Sequence, residues 1–185
     1  YYRHHYIDNA AKKAQSVMDD ENATIAQKRR SEFYFIAAGI SRKHEPERSR
    51  DEHLRLLGEI ENLLKTNQLR ESDRIEVVKV ESELLNNVGM VITHNLKQYE
   101  KALGYFHAAI KINERPEIND QKGIGIANSG LGDCYFYGLK DYSQAENHYT
   151  VNLNISRNNG DKQGIVRMTS MLGEIKLLNA KNEQD

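Results

Sequence analysis

The sequence predicts an all-α fold, a right-handed superhelical array of antiparallel helix hairpins with about eight helices. Apolar residues recur with helical spacing, and no stretch alternates with a period of two for long enough to form a strand. Segment 96–112, LKQYEKALGYFHAAIKI, is echoed 43 residues later by segment 139–155, LKDYSQAENHYTVNLNI. Segment 120–133 is echoed by 161–174, at a shift of 41 residues. Two-helix units that recur at such a period are typical of α-solenoids.

Four helices are predicted in the first half of the chain. They are expected at about 2–18, 23–44, 47–65 and 72–94. Pro46 should stop the second helix, because the residue before a proline disfavours helical backbone angles. Ser72 and Asp73 are candidates for the N-cap of the fourth helix, since both residue types accept hydrogen bonds from free helix N–H groups.

Four further helices are predicted in the second half. They are expected at about 98–113, 119–137, 142–157 and 161–180. Pro116 falls in the loop after the first of these, and Gly138 is a candidate C-cap for the second. Short connections between helices of similar length indicate antiparallel neighbours.

Glycines recur inside the first helix of each unit. They stand at one position of the repeat: Gly89, Gly132 and Gly173. A glycine inside a helix costs about 1 kcal/mol relative to alanine, so three in one register indicate close approach of a neighbouring helix. Phe106 and Tyr149, in the second helices, are predicted to fill the gap between hairpins as large side chains.

This pattern resembles the tetratricopeptide repeat. The matching positions are Val88, Gly89, Ile92, Ala102, Phe106, Ala109 and Ile110, then Leu131, Gly132, Tyr135, Ala145, Tyr149 and Leu153, and finally Leu172 and Gly173. The unit is longer than the usual ~34 residues and is similar to the long-repeat subtype found in bacterial sensor and regulator proteins. The resemblance covers about 82–178, and Asn152 departs from it by replacing a small residue. We therefore expect one repeat domain over 1–185, with degenerate repeats in 1–70 and clear repeats in 71–180.

The resemblance implies a protein- or peptide-binding module, the sensing or scaffolding part of a bacterial signalling regulator, that captures a segment in its concave groove. The groove-facing positions, transferred by register, are Asn86, Met90, Thr93, His94, Ser129, Asp133, Phe136, Tyr137, Arg167, Ser170 and Glu174. Relatives that clamp a terminal carboxylate need several basic residues at these places, and only Arg167 is basic here. Phe136 is interpreted either as an aromatic anchor for the bound segment, beside Asp133, or as a core residue.

The amino-acid composition argues against several classes of function. The 26 basic and 27 acidic residues leave a net charge of −1, which argues against a nucleic-acid-binding face. No apolar run approaches the ~20 residues of a membrane span. Cys134 is the only cysteine, so neither an intrachain disulfide nor a cysteine-based zinc site is possible. The chain starts at Tyr1, which suggests an excised piece, from a cytoplasmic protein or a periplasmic sensor.

We find no catalytic constellation, so the chain is not expected to be an enzyme, and no cofactor or metal is expected. GIGIANSGLG at 123–132 is not interpreted as a nucleotide loop, because no strand precedes it and its glycines recur in repeat register. Two alternatives stay open. One is a peptide-regulated, phosphatase-like protein that binds a response regulator through its N-terminal helices. The other is a self-associating structural array.

Overall fold

The computed structural model describes residues 2–43, 45–66 and 68–182, and of residues 2–8, 10, 37–43 and 182 only the backbone. Helices occupy most of these residues, and no strand occurs among them, which confirms the predicted all-α fold. The helices are α1 (Tyr2–Asp19), α2 (Ile25–Lys43), α3 (Pro46–Leu64), α4 (Glu71–Met90), α5 (Tyr99–Asn113), α6 (Gln121–Asp133), α7 (Tyr142–Asn158) and α8 (Lys162–Asn182). The right-handed superhelix stays a prediction.

Helix starts follow two different rules. Asp120 and Asp141 cap α6 and α7, each accepting a hydrogen bond from a backbone N–H three residues on, at 3.0 Å. By contrast α4 begins after Arg70, whose side chain makes no cap hydrogen bond. The prediction of Ser72 or Asp73 as its N-cap is wrong, because both lie inside the first turn.

The fourth and sixth predicted helices each end in a π-helical turn. These turns are Val91–Asn95 and Cys134–Leu139, at corresponding places of the two hairpins. Lys97 and Lys140 follow them with left-handed backbone angles, φ 56° and 57°. Lys140 is therefore the C-cap residue, and the prediction of Gly138 in that role is wrong. Gly138 lies inside the π turn, where a Cβ would overlap the side chain of Tyr99.

Contacts between α4 and α5 show an antiparallel hairpin. Gly89, near the end of α4, faces Phe106 in the middle of α5, and a Cβ at Gly89 would lie 2.7 Å from the phenyl ring. Earlier in α4, Ser82 Oγ lies 2.8 Å from Oδ1 of Asn113, at the end of α5. α6 and α7 form the same kind of hairpin, because Gly132 faces Tyr149.

Successive first helices lie side by side in parallel. Asn86 Nδ2 of α4 donates to the carbonyl of Gly123, at the start of α6, at 3.3 Å. Further along both helices, Thr93 Oγ1, in the turn after α4, lies 3.2 Å from Sγ of Cys134, the residue after α6. The two helices therefore run in the same direction.

The N-terminal helices share the core of the later ones. One apolar cluster extends from Ala26 and Phe33 of α2, through α3 and α4, to Cys134 after α6. Arg74 of α4 donates to the carbonyls of Leu64 and Thr66, each at 2.7 Å, and so holds the connection after α3. The predicted division at about residue 70 therefore does not coincide with a gap in the packing.

His53 of α3 lies in this core. Its side chain is buried, its Nδ1 lies 2.8 Å from the carbonyl of Ser49, and no described residue bonds to its Nε2. A carbonyl oxygen only accepts hydrogen bonds, so Nδ1 carries a proton and donates to it. Burial lowers the pKa of His53 below its ordinary value near 6.5, since the charged form is poorly solvated there.

Replacing Gly132 with alanine should destabilise the fold by about 1–3 kcal/mol, because the new methyl group overlaps the Tyr149 ring. Gly104→Ala is the matched control: Gly104 is also mid-helix, but nothing lies within 4 Å of a Cβ there. The control should gain up to about 1 kcal/mol from helix propensity. Urea denaturation measures both, and equal midpoints for the two variants would contradict close packing at Gly132.

Stability should fall with decreasing pH through the titration of His53. Its pKa is lower in the folded than in the unfolded chain, so the unfolded state binds more protons below about pH 6.5 and stability is lost as the pH drops. His53→Gln should reduce the difference in unfolding free energy between about pH 7 and pH 5. His107→Gln, at an exposed site, is the control and should leave it intact. An unchanged pH dependence in His53→Gln would refute this role.

Candidate binding groove

An open groove of about 1190 Å³ lies along the first helices. Its residues come from α2, α4, α6, the end of α7 and the start of α8. The lining includes Phe33, Tyr34, Ser82, Glu83, Asn86, Asn87, Met90, Lys122, Gly125, Ile126, Ser129, Asn152, Asn159, Gln163, Arg167 and Met168. The helices α4 and α6 form the middle of the groove, and the contact between them holds them side by side.

The floor of the groove carries two buried polar side chains. Asn86 is 5% and Ser129 is 4% exposed. Asn86 Nδ2 donates to Gly123, but Asn86 Oδ1 and Ser129 Oγ have no hydrogen-bond partner among the described residues. Buried polar atoms are nearly always paired, so an unpaired amide oxygen and an unpaired hydroxyl just beneath the groove surface are unusual.

Apolar surface flanks this polar floor. Tyr34 and Ile126 are exposed, and Met90 is half-buried beside them. The three come from α2, α6 and α4, so three different helices supply apolar surface to the lining. Unbranched methionine and an exposed aromatic ring suit contact with varied apolar side chains.

Most of the charged side chains at the groove already interact with other groups of the chain. Glu83 is paired with Arg30 at 3.4 Å, and burial raises the pKa of its carboxyl, an effect that Arg30 opposes. The carboxylate of Asp120 caps α6. Lys122 and Arg167 place basic groups at the groove from α6 and α8, and both are solvent-accessible.

Next to the groove, Asp133 joins four elements. It is 1% exposed. Tyr149 OH of α7 donates to its Oδ1 at 2.8 Å, and Arg167 Nη2 of α8 donates to its Oδ2 at 2.6 Å. His94 Nε2, in the π turn after α4, lies 3.3 Å from the same Oδ2. Burial, followed by the charge of Asp133, raises the pKa of Tyr149, so its hydroxyl keeps its proton and donates. Arg167 is the member of this cluster that also lines the groove.

Four of the eleven positions that the register assigned to the groove line it in the structure: Asn86, Met90, Ser129 and Arg167. Three others, Thr93, Asp133 and Phe136, are buried and lie outside the set of residues that line the groove. Phe136 is 5% exposed and packs among Tyr142 and Tyr149, so it is a core residue and not an anchor.

The remaining four positions reach solvent outside the groove lining. They are His94, Tyr137, Ser170 and Glu174. His94 is held near Asp133, and Tyr137 OH lies 3.8 Å from Met171 Sδ. Each of the four comes after the last residue of its helix that lines the groove, which is Met90, Ser129 or Met168.

Sequence reasoning missed the groove residues of α2 and α7. Tyr34 stands in the part of the chain where the repeat is degenerate, so no register assigned it. In the sequence, Asn152 stood out only because it replaces the small residue of the repeat. In the structure its amide lines the groove beside Gly125. The departure itself was the usable signal, because a polar side chain at a packing position needs a polar neighbour.

Cys134 is fully buried beside Thr93. Burial raises the pKa of its thiol, so the reactive thiolate is disfavoured and the residue is a small core side chain. Among the described residues, no group of three or more His, Cys, Asp or Glu side chains is placed to hold a metal ion. None of the described helices has the length and apolar character that crossing a bilayer requires.

In comparisons with known proteins, the chain matches no protein-family model and no curated sequence. Its likeness to tetratricopeptide repeats therefore rests on the residues and contacts described above and stays a prediction.

Tyr149→Phe should lower the free energy of unfolding by about 1–3 kcal/mol, because it removes a hydrogen bond to the buried Asp133 carboxylate while keeping the ring in place. Tyr137→Phe is the control, since Tyr137 is 45% exposed and its loss of a hydroxyl should change stability by less than about 0.5 kcal/mol. Denaturant titrations of both variants measure the difference. Equal stabilities would show that the Tyr149–Asp133 bond contributes nothing.

Proposed function

We propose that this chain is a protein- or peptide-binding module whose groove holds an extended segment of a partner. The observation that carries the proposal is the floor of the groove, where Asn86 Oδ1 and Ser129 Oγ are buried without partners. An extended peptide backbone offers one N–H and one C=O per residue. Rotation of the Asn86 and Ser129 side chains would bring these shielded atoms to the groove surface, where a segment N–H would donate to Asn86 Oδ1 and a segment C=O would accept from Ser129 Oγ.

The apolar residues around the floor supply the second part of the proposal. Tyr34, Met90 and Ile126 would contact side chains of the bound segment on either side of its backbone. Burying such side chains contributes most of the affinity in peptide grooves, while the polar floor fixes orientation and register. Lys122 places an exposed ammonium group at the groove, which favours a segment that carries an acidic side chain there.

The same proposal places the groove on the concave side of a helical array. The antiparallel α4–α5 and α6–α7 hairpins, the two π turns and the left-handed Lys97 and Lys140 support a repeat arrangement similar to tetratricopeptide repeats. In that setting the chain would be the sensing or scaffolding part of a bacterial signalling regulator.

A random peptide library displayed on phage tests this function. Selection against the immobilised chain should enrich peptides with a shared apolar pattern and an acidic residue. Fluorescence anisotropy with the best peptide then gives its Kd for each variant. Asn86→Ala and Ser129→Ala should each weaken binding up to about tenfold, the equivalent of one hydrogen bond.

Matched controls separate binding from folding. Ser170→Ala and Asn154→Ala change the same residue types at exposed sites outside the groove lining and should bind like the unmodified chain. Thermal melting of every variant checks that the fold is retained. Failure to enrich any saturable peptide, or full binding by both floor variants, would refute the proposal.

A further inference from the structure

The outward face of α8 is apolar and uncovered. Val166 and Leu177 are 68% and 67% exposed, the highest values among the large apolar side chains described. Ser170 and Gly173 lie between them on the same face and are exposed too. The four recur at spacings of four, three and four residues, which keeps them on one stripe of a helix.

The same face is covered where it occurs on α6. Gly132 corresponds to Gly173, and the ring of Tyr149 occupies the space beside it. Next to Gly173 nothing described lies within 4 Å of a Cβ position. On this face of α8 the space beside the glycine is therefore open, whereas on α6 the corresponding space is filled by a side chain of α7.

The stripe reads the same in both directions. A large side chain, Val166 or Leu177, stands at each end, and the small residues Ser170 and Gly173 stand at the centre. Two copies of this stripe, laid antiparallel about a two-fold axis, place each Val166 against the other copy's Leu177. Ser170 then faces Gly173, and the small central residues allow the two backbones to approach closely. Such self-complementarity is what a two-fold interface requires.

The charges beside the stripe fit the same arrangement. Arg167 and Glu174 lie on one flank of it, seven residues apart. In an antiparallel pair each flank meets the same flank of the other helix, so Arg167 of one copy lies near Glu174 of the other. Arg167 already donates to Asp133 through Nη2, and its guanidinium keeps further N–H donors for a second carboxylate. On the other flank Thr169 faces Lys176, which brings no like charges together.

We infer that the chain forms a two-fold symmetric dimer in which α8 pairs antiparallel with α8 of a second copy. The pairing covers Val166 and Leu177 and joins Arg167 to Glu174 across the axis. It leaves the residues of α2, α4 and α6 that line the groove uncovered. A single pair of helices about 30 Å long makes a small interface, so the dimer is reversible and forms with rising concentration.

Sedimentation velocity over a concentration series tests the dimer. The chain should pass from monomer to dimer, and Leu177→Glu should shift the midpoint to at least tenfold higher concentration. Val151→Glu is the matched control, because Val151 is an exposed apolar residue of α7 away from this face, and it should dimerise like the unmodified chain. Far-UV circular dichroism confirms that both variants keep their helices.

Cross-linking tests the direction of the pairing. In the antiparallel pair the two Ser170 residues lie about 10 Å apart, so Ser170→Cys should be joined by a short bismaleimide. The two Lys181 residues lie at opposite ends, about 28 Å apart along the axis, so Lys181→Cys should not be joined. A monomer at every concentration would overturn the inference and leave the face to an unlike helix. A dimer that Leu177→Glu leaves intact, or cross-linking through position 181 instead of 170, would overturn it as well.

Discussion

The packing of this molecule depends on the close approach of helices at glycines that face aromatic rings. Phe106 lies against Gly89 of α4 and also against Gly130 of α6, so one fully buried ring joins a hairpin to the hairpin that follows it. Tyr149 has the corresponding place against Gly132. At each glycine, the ring occupies the space that a side chain at that position would fill. The distance between the helices is therefore set by the absence of that side chain and by the size of the ring. Gly173 keeps the same space without a ring, which is why α8 ends the described packing with an open face.

Polar contacts set the register between successive first helices, since the glycines fix only their distance. Asn86 reaches the Gly123 carbonyl, and Thr93 reaches Cys134, so α6 cannot slide along α4 by a turn without leaving buried polar atoms unpaired. Asp133 does the same between α6, α7 and α8. A buried carboxylate that accepts from both Tyr149 and Arg167 contributes little net stability compared with an apolar cluster of equal size, but it penalises other arrangements heavily.

The sequence was sufficient to predict the helices and the antiparallel hairpins, because both depend on local spacing or on an internal echo. It predicted close helix approach at the glycines, but not that the rings of Phe106 and Tyr149 lie against them. It was insufficient for the ends of the first helices. Val91–Asn95 and Cys134–Leu139 turn as π-helices, and the extra residue in each turn rotates the side chains that follow. Phe136 lies inside such a turn, so ideal helical geometry directed it to the groove, whereas the structure buries it against Tyr149.

The groove was predictable in part for the same physical reason. Asn86 and Ser129 lie in regular helix before the π turns, and both are among the residues that line the groove. Tyr34 belongs to a helix without a clear repeat, and Asn152 comes from a second helix, which the prediction assigned wholly to packing. Close contact of α6 with α7 at Gly125 lets the Asn152 amide reach the groove, because a Cβ at Gly125 would lie 2.9 Å from Oδ1 of Asn152. The chemical character of the groove therefore depends on residues of five helices, whereas its position depends on the polar contact that holds two of them in register.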